Sequence, residues 1–157
     1  MNGRVIFLFY RKLWLVLIVL MFLLNSCRPF VSKPQGNAEE ILQEIVSQFY
    51  LPDGVIYSKR EDAEYLLTDS LLERMFPDTG DLADFYYVSS AAVWFSRRFS
   101  EGEIVVLELC DLSHQRELLR LLSKRTEKKE NAVAFANGIY VYLICTEKNE
   151  EIMRYLQ

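Results

Sequence analysis

The chain has 157 residues, a formal charge of −4 and a hydrophobic fraction of 51%. It is far too apolar to be disordered, and removing the basic residues of its first segment (Arg4, Arg11, Lys12) takes the charge to −7. An acidic domain has no electrostatic footprint for a phosphate backbone, which argues against a nucleic-acid partner and against adhesion to anionic lipid.

Behind those three basic residues runs an apolar stretch, residues 13–24, closing on Asn25, Ser26 and Cys27. A charged start, a short apolar centre and a small residue at the end form the pattern of a secretory signal. Leu24-Asn25-Ser26-Cys27 resembles the lipobox of bacterial lipoproteins, in which the cysteine is acylated and becomes the mature N-terminus. The competing reading is an uncleaved anchor. Residues 5–24 have the length to span a bilayer, but only by burying Arg11 and Lys12, at roughly 2.5–3.5 kcal/mol per charge on the lenient insertion scale. Either way the basic residues stay inside and the rest of the chain is expected outside. The expected organisation is a signal segment over 1–26, a lipidated Cys27 with its tether over 27–36, and one domain over 37–157. A tether of nine or ten residues reaches about 30 Å at most.

Asn37 followed by Glu40 is a capping box, and Ile41, Leu42, Ile45, Val46 and Phe49 continue as one apolar stripe of a helix. Pro52-Asp53-Gly54 ends it. Residues 55–68 read as extended or in short pieces. Ser70 opens a short helix over 70–76, stopped by Pro77. Residues 85–95 read as a long strand, bulged within Ser89-Ser90-Ala91-Ala92. The near-continuous apolar run 104–109 is a buried central strand. Asp111 or Ser113 then caps a helix reaching about Lys129. Residues 132–136 and 139–145 flank Asn137-Gly138, a strong hairpin signal, and Thr146 caps a last helix with Ile152, Met153 and Leu156 facing inward. The expected fold is α+β: a mainly antiparallel four-stranded sheet with helices on one face. In this topology Cys110 and Cys145 stand at opposite ends of the sheet, beyond the ~7 Å a disulfide allows.

Residues with chemical potential are few. Asp111, Ser113 and His114 contain the letters of a triad, but sequence neighbours at a helix start do not converge. Cys110, at a strand end before a helix, is a thinner candidate for a nucleophile. With one histidine and no paired cysteines, no structural zinc site is expected, and no cofactor is implied. Glu103 and Glu108 fall on opposite faces of one strand. The basic clusters, Arg97-Arg98 and Lys124-Arg125 through Lys128-Lys129, are the candidate interaction surface.

The block formed by residues 103–109, the helix carrying Leu122 and Arg125, and Asn137-Gly138 with residues 139–143 resembles the Gram-positive lipoproteins of domain-of-unknown-function family 4358. The likeness rests on a glutamate opening an apolar strand, an arginine late in the helix and a glycine before the final strand. The connection 126–132 is shorter here than in that family. The resemblance implies a lipoprotein and supplies no activity. The expectation is therefore a non-enzymatic binding domain, held to the extracytoplasmic face of the cell membrane through Cys27, with an envelope protein or wall component as partner. The alternative is an extracytoplasmic enzyme acting on envelope material.

Overall fold

A computed structural model describes residues 35–77, 82–97 and 102–157. The apolar stretch 13–24, the lipobox-like motif with Cys27, nearly all of the tether and Arg98 lie outside the described residues. Helix α1 (Ala38–Gln48) starts as its sequence demands: Asn37 Oδ1 accepts from the backbone N–H groups of Glu39 and Glu40 at 3.0 Å each, and the Glu40 carboxylate accepts from Asn37 N at 3.1 Å. The chain then turns through Tyr50, whose φ of +48° breaks the helix before Pro52.

Five strands follow: β1 (Gly54–Ser58), β2 (Val88–Ser96), β3 (Glu103–Leu109), β4 (Val133–Asn137) and β5 (Tyr140–Cys145). They form one open sheet in the order β1-β2-β3-β5-β4, and every neighbouring pair is antiparallel. The sheet thus has five strands where four are expected. The additional one, β1, comes from the ambiguous stretch 55–68. It is a short edge strand, half-buried through most of its length, and such strands carry little alternation to be read. The bulge in β2 falls at Ser89, between the pairs Val88–Leu109 and Ser90–Glu108. Residues Leu82–Tyr87 are a 3-10 turn rather than the start of that strand.

Helix α2 (Asp69–Met75) is capped by Thr68, whose Oγ1 accepts from Leu71 N at 3.2 Å, two residues before the expected Ser70. Asp111 caps a 3-10 turn, Leu112–His114, that leads into α3 (Gln115–Thr126). Ahead of α4 (Asn149–Leu156), Thr146 N donates to Asn149 Oδ1 at 2.7 Å, so Thr146 closes the turn before the helix rather than capping it. The hairpin loop is Gly138-Ile139, with Gly138 at φ +58°. Asn137 belongs to β4, where its amide donates to Leu156 O at 2.6 Å.

The helices cover both faces of the sheet, not one. Val105, Leu107 and Leu109 of β3, with Ala91, Val93, Val141 and Leu143, pack beneath α2 and α3 through Leu72, Met75, Leu118, Leu121 and Leu122. Ile104 and Val106, with Ala92, Trp94, Tyr142 and Ile144, pack beneath α1 and α4 through Ala38, Ile41, Leu42, Ile45, Ile152 and Leu156. The physical reason is in β3 itself. A strand with one wet face alternates, whereas residues 104–107 are apolar without interruption and need cover on both sides. Cys145 is paired with Glu103 at the start of β3, and Cys110 follows Leu109 at its other end; the two are not joined to each other.

Candidate functional site

Glu103 opens β3 on the face shared by Val105 and Leu107, and its side chain is wholly buried. A carboxylate in that position needs cations. Arg125 of α3 grips it with both arms, Nε on Oε1 at 2.5 Å and Nη2 on Oε2 at 2.8 Å. Lys129 adds Nζ at 2.9 Å from Oε2. The Arg125 guanidinium also donates through Nη1 to the carbonyl of Met75, the last residue of α2, and lies 5.5 Å from the centre of the Phe76 ring. One buried charge thereby ties a central strand to the ends of two helices. Leu118, Leu122 and Arg125 are spaced i, i+4, i+7, so Arg125 extends the apolar stripe of α3, and Lys129 reaches the same carboxylate from the turn beyond the helix, which ends at Thr126 rather than near Lys129. That stripe is the signal in the sequence for the inward direction of Arg125.

The remaining candidates gather around this network. Lys124, Arg125 and Lys128 line a shallow depression with Met75, Phe76, Pro77 and Leu121. Lys124 and Lys128 are exposed. Arg97 is exposed directly after β2, and its N–H donates to Asp53 O at 2.9 Å. Because Phe95 pairs with Glu103, Arg97 belongs to the same end of the sheet as the α3 terminus. Arg97 and the second basic cluster are thus brought to one end, with Arg125 turned inward. Exposed Glu127 and Glu130 intersperse it.

The first described residues meet the opposite end. Tyr140 Oη donates to Gly36 O at 2.8 Å, and Ala38 N donates to Ser90 Oγ at 3.1 Å. Tyr140 and Ser90 both pair with Glu108, near the last residue of β3. Burial, and then the charge of Glu40, push the Glu108 carboxyl up.

The Asp111-Ser113-His114 group also lies at that end, and it is not a triad. The Ser113 hydroxyl and N–H both donate to Asp111 Oδ1, which holds this carboxyl below its usual range. His114 stacks on Tyr87, with ring centres 3.3 Å apart, and its Nδ1 lies 2.9 Å from the Glu117 carboxylate. Serine and histidine are each bonded to a different acid. Tyr87 as the partner of His114 was not legible, because they stand 27 positions apart with two strands between them. Cys110 is exposed, and its N–H donates to Tyr87 O at 2.9 Å.

Among the described residues no group of acidic, histidine or cysteine side chains could hold a metal ion, and no helix is long and apolar enough to cross a membrane. No family model, no curated protein and no solved structure matches this chain.

Proposed function

We propose that this chain is a membrane-anchored extracytoplasmic lipoprotein, held through a diacylglyceryl group on Cys27, whose folded domain binds another envelope protein or wall component and performs no catalysis. The likeness to family 4358 belongs to the same proposal. In its favour, two of the positions that carry the likeness, Glu103 and Arg125, are bonded to each other and join the central strand to a helix.

The observation that carries the binding reading is the meeting of Arg97 and the Lys124–Lys128 helix end at one end of the sheet, away from Gly36. Cations at a domain end steer and orient an acidic partner. The side chains with catalytic potential serve other purposes: His114 is stacked on Tyr87 and bonded to Glu117, and Asp111 closes a turn.

The test joins place and partner. A fatty-acid probe labels the wild type in cells and fails to label Cys27→Ala. In-cell crosslinking of the full chain yields one dominant adduct, which Lys124→Glu with Lys128→Glu and Arg97→Glu diminishes at least fivefold. His114→Ala leaves the adduct unchanged. Label on Cys27→Ala refutes the anchor, and an adduct or cellular role lost with His114→Ala refutes the binding-module reading.

A further inference from the structure

The end of the sheet that receives the chain at Gly36 carries an apolar rim. Tyr86 is 89% exposed, Leu112 58% and Ile139 37%. The backbone sets them around one strand end. Cys110 N, just past β3, donates to Tyr87 O on one side, and Leu109 N donates to Ile139 O at 2.8 Å on the other. Leu112 tops the turn between them, and Gln115 Nε2 fastens the α3 start to Gly138 O at 2.7 Å. Neighbouring strands lie about 5 Å apart, so the three side chains crown a front of about 10 Å.

We infer that this rim rests in the headgroup layer of the bilayer to which the chain is anchored, so that the domain stands on the membrane with its basic end outward. The inference rests on the proposed anchoring through Cys27. Gly36 is nine positions after Cys27, a span of about 30 Å at most. Gly36 itself is bonded to Tyr140, one residue after Ile139 in the same hairpin. The tether is therefore attached to the domain at this end. The composition suits that place: tyrosine is enriched at membrane–water interfaces, with its ring in the headgroup layer and its hydroxyl wet. Asp111 and Glu40 are exposed at the same end, so the contact is apolar and not an attraction to anionic lipid. It is accordingly insensitive to salt. The seven residues of β3 set the basic end about 20 Å farther out.

Cys110 provides the reporter, being exposed at the rim while Cys145 is buried. The full lipidated chain, labelled at Cys110 with a small fluorophore, is reconstituted in phosphatidylcholine vesicles containing a headgroup-depth quencher lipid. The comparison carries the same fluorophore on Tyr50→Cys in a Cys110→Ser background. Tyr50 is 88% exposed, beside Phe49, whose carbonyl accepts from Lys148 at the far end of the sheet. Quenching at position 110 should exceed that at position 50 at least threefold, at both low and high salt. Tyr86→Ser, Leu112→Ser and Ile139→Ser together should bring the two to the same level while the protein still floats with the vesicles. Equal quenching at both positions in the unmutated rim, with flotation intact, overturns this inference and leaves the anchor standing. So does an unquenched reporter that crosslinks to a second copy. Loss of flotation overturns both.

Discussion

Replacing Arg125 by Met removes the guanidinium from Glu103 and keeps most of the stem against Phe76. Glu103 has no solvent contact, whereas Arg125 and Lys129 are 16% and 19% exposed. Breaking a buried pair from one side costs about 3–5 kcal/mol, because the remaining charge is uncompensated. Lys129 stays on Oε2, which places Arg125→Met at the lower end, about 3 kcal/mol. The Met75 carbonyl also loses its donor. For a domain of this size that is a fall of about 10 °C in the thermal midpoint. Glu103→Leu in the Arg125→Met background removes the buried charge itself. Lys129 has a route to water along its aliphatic stem, so the double variant should recover at least half of the loss. Guanidinium unfolding of the wild type, both single variants and the double variant, followed by circular dichroism, gives the coupling energy directly. A loss below about 1 kcal/mol for Arg125→Met, or a double variant as unstable as that single one, refutes the assignment of this network as a structural tie.

Two further outcomes follow from local geometry. Glu108 has a carboxyl pushed up by burial and by Glu40, so the folded state holds its proton to higher pH than the unfolded chain does. Its contribution is therefore present below the ordinary carboxylate range and lost as pH rises through the folded value. Glu108→Gln should raise the thermal midpoint at pH 7 and give a smaller gain at pH 4; an equal gain at both would remove the basis of the claim. At Gly54 an added Cβ would lie 2.0 Å from Trp94 Nε1 and 2.7 Å from the Phe95 carbonyl. Gly54→Ala should cost at least about 1–3 kcal/mol by overpacking, whereas Gly138→Ala meets open space and bears only the strain of its positive φ, about 1–2 kcal/mol. A neutral Gly54→Ala in thermal unfolding would contradict this packing.

Much of the architecture is legible in residue order, for reasons that differ from element to element. Helix α1 announces itself by a capping box and a stripe, both local. Strand β3 is visible as an uninterrupted apolar run, and that same run already argued for cover on both faces. The expectation of helices on one face followed the commoner antiparallel arrangement instead. Strand β1 escaped because its partner β2 supplies most of the order it has, through pairs such as Ile56 with Trp94. The basic clusters were visible as letters, while the division of labour within them was not. Arg125 continues the leucine stripe of α3 toward Glu103, Lys129 reaches the same carboxylate from the turn beyond the helix, and Lys124 and Lys128 are exposed. Only the position of Arg125 relative to Leu118 and Leu122 carries that distinction. The apolar rim was not legible, since Tyr86, Leu112 and Ile139 belong to three separate connections and come to one end of the sheet only when β2, β3 and β5 are side by side.

Helices α1 and α4 close the same face of the sheet although Ala38 and Leu156 stand near opposite ends of the domain in sequence. Phe49 meets Tyr155 edge to face at 5.6 Å, Tyr155 donates to Glu44, and Lys148 reaches Phe49 O at 2.7 Å. Contacts between such distant segments form late, because the closure of long loops precedes any reward from them. Until α4 has been synthesised, Trp94, Ile104, Val106 and Ile144 lack half of their roof, and the sheet has only one finished core. The face under α1 is therefore completed only when the eight residues of α4 dock on it, whereas the face under α2 and α3 needs none of them.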